Sequence, residues 1–387
     1  MKLIAPTHIA SVIITLFLTG CNHTDTKPTD SRANLGEKLF NDISLSRDGT
    51  QSCASCHDSK HAFIDPRLNQ TSVDTDTAGA VSTGQDEISL GDINTPSPAY
   101  AAFVPDFHFD SNEGLYKGGM FLNGRSANLV EQTKQPFLNP VEMQTTKEDV
   151  VAKVQASYGE LMRSLYGGTI FDSTDAAFDA VADSIAAFER TEQFATFDSK
   201  FDKVLKGEME FTTEEQLGHD LFIAEDKGNC AACHPVPTLN SNQEDRLFTD
   251  FTYDNLGVPK NTLVRNLNGK GTEFIDNGLF NNPEVNDPNL KGAFKVSSLR
   301  NIAVTAPYMH NGVFRDLSTV VHFYNSRDVQ DALNPETQLP WEPSEVDNTK
   351  NVDELGDLGL TLEEINAIVA FLKTLTDQRY EHLIQQP

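Results

Sequence analysis

The sequence predicts a mainly α-helical protein made of two similar modules that are joined and wrapped by long loops. Stretches 147–165, 174–191 and 361–375 place apolar residues three and four positions apart, which is typical of helices with one buried face. The segment LGEKLF at 35–40 is echoed by LGHDLF at 217–222, which indicates an internal duplication.

Polar stretches separate the predicted helices. The stretches 66–98, 235–296 and 327–356 are rich in Asn, Asp, Pro and Gly, which favours loops over strands. A charged segment in the middle of the chain marks the expected boundary between the modules. We therefore predict an N-terminal domain over 34–203 and a C-terminal domain over 204–387.

The N-terminus has the features of an export signal. Lys2 precedes an apolar run over 9–18, which is too short to span a membrane as a mature helix. The run ends in LTGC at 18–21, which resembles a lipobox, a motif whose cysteine is lipidated and becomes the new N-terminus. An ordinary secretory signal with a chance cysteine is the alternative. The lipobox predicts a signal peptide over 1–20, a tether over 21–33 and a periplasmic protein with a lipid anchor to the membrane.

The chain is strongly acidic, with 57 Asp or Glu residues against 30 Lys or Arg residues and a formal net charge of −27. A nucleic-acid-binding protein must neutralise phosphates with cationic side chains, so that class of function is excluded. An acidic surface attracts cationic partners, or it serves only to keep the protein soluble.

Four of the five cysteines form two CxxCH motifs, CASCH at 53–57 and CAACH at 230–234. Two thiols at this spacing can add to the two vinyl groups of one haem, and the next histidine then lies under the iron. A thioredoxin-like CxxC needs no adjacent histidine, and a zinc ribbon needs its second cysteine pair close by. The sequence therefore predicts two covalently bound c-type haems, held by Cys53, Cys56, His57, Cys230, Cys233 and His234.

The residues around these motifs resemble the bacterial di-haem cytochrome c peroxidase family, including its MauG-type branch. The resemblance rests on NTP at 94–96, NGR at 123–125, EQ at 131–132, NPVEM at 139–143 and the stretch 299–312. It extends over nearly the whole chain beyond the signal peptide. It implies two cytochrome c-like haem domains that are related by a pseudo-twofold axis.

In this family the N-terminal haem reacts with peroxide, and an acidic residue lies on its distal side. The resemblance assigns that role to Glu142, which would move a proton from the inner to the outer peroxide oxygen. Burial beside a haem would raise the pKa of this carboxyl toward a useful value. Gln132 and Pro136 fall where the family lines the same pocket, and Arg125 is expected to steady the pocket or a haem propionate. Without the resemblance, Glu142 would be interpreted as a solvated carboxylate and Arg125 as a surface charge.

The resemblance also bears on the sixth ligand of the His234 haem. Peroxidases of the family usually have a methionine fourteen residues after the histidine that corresponds to His310, whereas this chain has Tyr324, as MauG-type enzymes do. A phenolate oxygen is a hard, anionic donor that stabilises oxidised iron, so the potential of this haem is expected to be low. A buried core tyrosine, with Met309 as the competing ligand, is the alternative.

A calcium ion between the haem domains is implied as well. The resemblance assigns to it the side chain of Asn94 and the backbone carbonyls of Thr305 and Pro307. Oxygen ligands, completed by waters, suit Ca²⁺. By themselves these three residues would be interpreted only as turns in two proline-containing loops.

Two positions depart from the family pattern. The family has a tryptophan between the haems where this chain has Leu122, and Phe121 is a nearby aromatic residue that could substitute. Family peroxidases often place a distal histidine on the resting N-terminal haem, eight residues before the position of Asn94, where this chain has Asp86. His61 follows the haem motif too closely for that role and is interpreted as an exposed spare histidine. The resting N-terminal haem is therefore expected to be open to peroxide.

The resulting hypothesis is a di-haem cytochrome c peroxidase that reduces hydrogen peroxide to water with electrons from a small periplasmic cytochrome c or cupredoxin. The electrons would enter at the His234 haem and reach peroxide at the His57 haem. A MauG-like oxidase that modifies residues of a partner protein through ferryl haem is the alternative, which Tyr324 favours and Leu122 weakens. A simple electron-transfer cytochrome is a third class, against which Glu142 argues. A homodimer is compatible with the resemblance.

Overall fold

The computed structural model describes residues 31–74 and 77–384. Within these residues, helices and short 3₁₀ turns dominate, and no helix is long and apolar enough to cross a membrane. The α-helices are α1 (Arg32–Phe40), α2 (Cys53–Cys56), α3 (Leu129–Leu138), α4 (Lys147–Tyr166), α5 (Thr174–Glu189), α6 (Lys200–Leu205), α7 (Thr213–Ile223), α8 (Thr262–Leu267), α9 (Leu317–Ser326) and α10 (Leu362–Lys373).

Extended structure is limited, among the described residues, to two antiparallel strand pairs and a few isolated bridges. Strands β1 (His108–Asp110) and β2 (Leu115–Lys117) form a hairpin in which His108 lies opposite Lys117. Strands β3 (Tyr253–Asp254) and β4 (Phe294–Lys295) pair across a long loop, with Tyr253 opposite Lys295. The mainly helical class that the sequence predicts is therefore confirmed.

The three helices predicted from periodicity correspond to α4, α5 and α10, and their ends agree within two residues. Their starts are fixed by side-chain caps, because the first backbone N–H groups of a helix have no partner inside it. Thr361 and Glu364 form a reciprocal capping box at the start of α10. Ser31 caps α1 by accepting from the backbone N–H of Asn34 at 3.1 Å.

The cap at Ser31 corrects the predicted tether over 21–33, because Arg32 is already helical. The tether prediction extended too far because the polar residues before Leu35 give no helical periodicity. The signal peptide over 1–20 and the lipobox cysteine lie outside the described residues.

Each of the two LG segments packs its helix closely against a later helix. A Cβ atom at Gly36 on α1 would lie 1.9 Å from the carbonyl oxygen of Ser184 on α5, and one at Gly218 on α7 would lie 1.9 Å from that of Ala367 on α10. Only glycine allows these backbones to approach so closely. The two copies of the duplicated segment therefore make the same glycine-mediated helix contact, each in its own hydrophobic core.

The loop predictions hold for 66–98 and 327–356, in which residues 66–74, 77–98 and 327–356 form no helix or strand beyond isolated bridges. The prediction for 235–296 was partly wrong, because this stretch contains α8 and both strands of the β3–β4 pair. Helix α8 has only six residues and starts at the cap Asn261. Elements this short have no measurable periodicity, and the β3–β4 pair depends on residues far apart in sequence.

Candidate active site

One cavity of about 800 Å³ is lined by residues of both CxxCH motifs. Its volume lies within the range of roughly 300–1,000 Å³ that is typical of ligand sites. The four motif cysteines are free thiols that are partly buried along it. Groups attached to the two motifs would therefore share one interior space.

The two motif histidines are held in the same way. The Nδ1–H of His57 donates to the carbonyl oxygen of Phe63 at 3.2 Å, and that of His234 donates to Phe248 at 2.7 Å. These bonds fix the tautomer and leave Nε2 as the donor atom for a metal. Burial lowers the pKa of both imidazoles and so keeps them in the neutral form that binds iron. The donor set therefore fits two covalently attached haems.

Helix α3 presents two of the predicted pocket residues. Gln132 and Pro136 lie four positions apart, hence on one face of the helix, and both line the cavity. Asn128 starts the helix by accepting from the backbone N–H of Glu131 at 3.1 Å. The turn after α3 then brings Glu142 to the same cavity.

Glu142 is held by a short hydrogen bond rather than by an ion pair. The Nδ2 of Asn139 donates to its Oε1 at 2.5 Å. Burial is the main influence on this carboxyl and raises its pKa above the ordinary glutamate value, although the Asn139 bond and Arg125 oppose the shift. A solvated carboxylate is thereby excluded, and the group can exchange a proton nearer to neutral pH.

Arg125 lines the cavity and is not a surface charge, so the alternative interpretation of this residue is wrong. It donates to Asn123 and Gln135 at 3.1 Å each, and its guanidinium carbon lies 3.4 Å from the centre of the Phe121 ring. None of the ion pairs among the described residues involves it. A cation without a carboxylate partner at a cavity wall suits an anionic group of a bound cofactor.

Tyr324, on α9, and Met309 both line the cavity. The Tyr324 ring packs against the same apolar cluster as Cys230 of the second motif, and burial raises the pKa of its phenol. Met309 belongs to the same apolar cluster and has a left-handed backbone with φ 69°. Both candidate ligands of the second haem are therefore in the vicinity of that motif.

The residues assigned to calcium are brought together in part. A second cavity of about 10 Å³, the size of one water molecule or ion, is lined by Asn94, Pro307 and Asp65. The side-chain N–H of Asn94 donates to the carbonyl of Ala80 at 3.0 Å, which leaves its Oδ1 as an acceptor. Thr305 does not line this small cavity, but all three assigned residues line the large one. This donor set of oxygens suits a hard cation.

The positions that depart from the family pattern have clear local roles. The carboxylate of Asp86 accepts from Gln144 at 2.8 Å and from the hydroxyl of Ser89 at 2.7 Å, and it does not line the cavity. The side chain of His61 is 43% exposed and bonded to Asp58, which confirms that it is an exposed histidine. Leu122 lines the cavity where the family has its tryptophan.

Sequence reasoning missed two buried polar groups on the cavity wall. Glu189 ends α5 with its Oε2 unpaired among the described residues, and burial raises its pKa to about 8. His310 stacks on Phe294 at 3.7 Å with its Nε2 also unpaired. Glu189 could have been found from the sequence, since it is a lone acidic residue on the apolar stripe of α5. Such stripes form a core, in which an unpaired acid is unusual.

Fold and site together define a c-type di-haem oxidoreductase, and the comparisons with known proteins agree. The family model described as di-haem cytochrome c peroxidase matches residues 30–210. The chain is 45% identical over 365 residues to the methylamine utilization protein MauG of Paracoccus denitrificans, covering 92% of this chain and 91% of that protein. It is 29% identical to the cytochrome c551 peroxidase of Nitrosomonas europaea, covering 89% of this chain and 79% of that protein.

The fold comparison gives the same result. The structure of the diheme peroxidase BthA from Burkholderia thailandensis superposes with a TM-score of 0.83 at 29% identity, over 93% of this chain and 88% of that one. The chain therefore belongs to the di-haem cytochrome c peroxidase family, which includes MauG, and the resemblance seen in the sequence is confirmed.

Proposed function

We propose that this protein consumes hydrogen peroxide at the His57 haem and takes the electrons from a partner protein through the His234 haem. The proposal rests on one observation: the two motifs share a cavity, but different side chains lie near each of them. Glu142, Gln132 and Pro136 line the part assigned to the first haem, and Tyr324 lies beside the second motif. The haem, when bound, supplies the iron that activates peroxide.

Glu142 is the proton-transfer group in this proposal. Its carboxylate takes the proton from the inner oxygen of peroxide and delivers it to the outer oxygen, which then leaves as water. The bond from Asn139 fixes the orientation of the carboxyl, and burial holds its pKa above the ordinary value. Gln132 and Pro136 shape the space in which peroxide is held.

A MauG-like role is the first candidate for the source of electrons. In that role, side chains of a partner protein would be oxidised at a distance. The 45% identity to a MauG protein supports it, and so does Tyr324, because an anionic oxygen ligand favours oxidised iron. This ranking reverses the one drawn from the sequence, in which the peroxidase came first.

A cytochrome c peroxidase is the second candidate, with a small cytochrome or cupredoxin as the donor. Leu122 supports it, because leucine cannot act as an oxidised relay at the position of the family tryptophan. The reported relatives that are named cytochrome c peroxidases are 26–30% identical to this chain. Both candidates share the peroxide chemistry at His57 and differ only in the donor.

We further propose that the chain is a periplasmic lipoprotein with its two haem domains over 34–203 and 204–387 and a pseudo-twofold axis between them. The cavity at Asn94 and Pro307 is the proposed calcium position, with Thr305 as a further carbonyl ligand. Equilibrium dialysis with ⁴⁵Ca²⁺ on the wild type and on Asn94→Ala tests this site. Equal binding by both proteins would contradict it.

The proposed function is tested with the purified di-haem protein. Mixing the ferric protein with hydrogen peroxide should change the Soret band at once, and a reduced small cytochrome c should then be oxidised only if the second candidate is correct. A MauG-like protein would leave the cytochrome reduced and would instead oxidise a protein partner, seen as a mass change. Absence of any spectral response to peroxide would refute both candidates.

A further inference from the structure

A buried hydroxyl–carboxylate pair reaches the wall of the shared cavity through one of its members, Tyr100. Tyr100 is 1% exposed and Asp377 is 0% exposed. The hydroxyl of Tyr100 donates to Oδ1 of Asp377 at 2.5 Å, although the residues are far apart in sequence. Tyr100 lines the cavity that both motifs share. Neither residue has a part in the function proposed above.

Tyr100 and Asn301 occupy equivalent places in the two halves of the chain. Each has a left-handed backbone with φ 62°, and each is followed at once by a 3₁₀ turn, Ala101–Phe103 or Ile302–Val304. Their side chains meet on one carboxylate, because Asn301 donates to Oδ2 of Asp377 at 3.0 Å. Asparagine adopts this backbone conformation readily, whereas a bulky aromatic residue there is an outlier. Tyr100 therefore keeps its ring at this equivalent place at a conformational cost.

Phe194 connects Tyr100 to the His57 motif. The backbone N–H of Tyr100 donates to the carbonyl of Phe194 at 2.9 Å. The ring of Phe194 stacks on Phe63 with centroids 4.4 Å apart. Phe63 is the residue whose carbonyl orients His57. The path from Tyr100 to the first motif therefore runs through packed, buried groups.

Arg300 connects Tyr100 to the His234 motif. Its guanidinium carbon lies 5.6 Å from the Tyr100 ring centre and 5.6 Å from that of Phe248. Phe248 is the residue whose carbonyl orients His234. Tyr100 is therefore connected, through Phe194 on one side and Arg300 on the other, to the hydrogen-bond partners of the two motif histidines.

We propose that Tyr100 is an oxidisable relay between the two haem sites and that Asp377 is its proton acceptor. The proposal rests on the peroxide chemistry proposed above, which supplies the oxidant at the His57 site. Tyr100 gives one electron to that site, its O–H bond breaks, and the proton forms an O–H bond with Asp377. A neutral phenoxyl radical remains. One electron from the His234 site then restores the phenol as the proton returns from Asp377.

The surroundings favour Tyr100 over the other aromatic residues of the cavity. An oxidised phenol is a strong acid, so the proton leaves as the electron does, and Asp377, which already accepts the hydrogen bond from the Tyr100 hydroxyl, is placed to receive it. Burial raises the pKa of the Asp377 carboxyl, which helps it to hold that proton. Phe121 has no proton to release and lies 3.4 Å from the Arg125 guanidinium, while the hydroxyl of Tyr308 donates only to a backbone carbonyl.

Freeze-quench electron paramagnetic resonance tests the relay. The ferric holoprotein, with ring-deuterated tyrosine, is mixed with hydrogen peroxide. A tyrosyl radical whose hyperfine pattern collapses on deuteration is expected in the wild type and in the matched control Tyr308→Phe. The signal should fall to background in Tyr100→Phe and in Asp377→Asn, and its formation should slow in D₂O. A tyrosyl signal that persists in Tyr100→Phe would overturn the proposal.

A peroxide-free measurement separates this proposal from the proposed function. Flash-quench oxidation by a ruthenium(III) polypyridyl complex delivers one oxidising equivalent to the ferric holoprotein without peroxide. Transient absorption should show a tyrosyl radical in the wild type but not in Tyr100→Phe. If peroxide causes no reaction but the flash yields this radical, the proposed function fails and the relay stands. If peroxide reacts and neither method gives a Tyr100 radical, the relay fails. Haem content and circular dichroism melting of Tyr100→Phe show that the loss is not due to misfolding.

Discussion

Around His57 and around His234 the backbone makes the same hydrogen bond, from imidazole Nδ1 to a phenylalanine carbonyl, at 3.2 and 2.7 Å. Each motif also follows a helix whose glycine presses against a later helix. The groups brought to each site from elsewhere in the chain differ. Glu142 comes to the first from the turn after α3, and Tyr324 comes to the second from α9.

This difference indicates how the same haem-attachment structure can support two different reactivities. Attachment and orientation of the proximal histidine need only local residues, which the two motifs share. Reactivity depends on the opposite side, because an open position admits peroxide and an anionic oxygen ligand holds iron oxidised. In the proposed function, the first site is therefore the reactive one and the second stores or relays electrons.

The largest effect is expected from variants that remove haem attachment at one motif and leave the other motif intact. Cys53→Ala with Cys56→Ala should leave the denatured protein with one covalent haem instead of two and abolish the reaction with peroxide, because both thioethers of that site are lost. Pyridine haemochrome spectra measure the haem content. The matched variant Cys230→Ala with Cys233→Ala should also keep one haem, yet it should still react with peroxide. Loss of the peroxide reaction in the second variant alone would reverse the assignment of the two sites.

Removal of the proton-transfer group tests whether the first site owes its reactivity to Glu142. Glu142→Gln keeps the shape of the side chain but cannot exchange the proton, so the reaction with peroxide should slow by roughly a hundredfold or more, the usual scale of general acid–base catalysis. Stopped-flow spectra of the Soret band give the rate. Glu131→Gln, an exposed change on the neighbouring helix, is the control and should react like the wild type. A wild-type rate in Glu142→Gln would assign the proton transfer to another group.

The pH dependence of this step follows from the environment of Glu142. The carboxylate form must be present to take the proton from peroxide, and burial raises its pKa above the ordinary value of 4.5. The rate should therefore be full above the raised pKa and fall as the pH drops through it, at a higher pH than for an exposed glutamate. This limb of the profile should disappear in Glu142→Gln.

Loss of the phenol tests the second site. Tyr324→Phe should change the low-spin ferric signal and raise the potential of the His234 haem by on the order of 0.1 V, a fraction of the roughly 0.8 V that axial ligands span. Spectroelectrochemical titration measures the shift, and the first haem should keep its potential. An unchanged spectrum would make Met309 the first candidate for the ligand.

The smallest effect concerns the resting state of the first site. Asp86 is bonded within its loop and no histidine lies in 66–98, so the fully oxidised protein should already show a high-spin signal beside a low-spin one. Prior one-electron reduction should change the rate of the peroxide reaction by less than about threefold, or under about 0.7 kcal/mol in the barrier. Two low-spin signals, with reactivity only after reduction, would show that a distal ligand closes the site.

The main helices and both haem motifs could be predicted because the sequence patterns that indicate them are local. Helices α4, α5 and α10 follow from periodicity, and the haem motifs from the spacing of two thiols and a histidine. The short helix α8 and the β3–β4 pair could not be predicted, because two- to six-residue elements carry no periodic signal. The exposure of His61 was read correctly, whereas the buried carboxyl of Glu189 was passed over as part of an apolar stripe.

By itself the sequence determined two haem-attachment motifs, a helical class and membership of one family, because covalent chemistry and helical periodicity depend on neighbours along the chain. Only the tertiary structure decided which side chains meet. The sequence assigned Arg125 to the pocket only through the family resemblance, and folding placed it in the cavity wall over Phe121. Tyr100 and Asn301 gave no sign in the sequence that they share Asp377. These contacts arise from long-range packing. Each one joins residues that are far apart along the chain, and no sequence pattern marks them as partners.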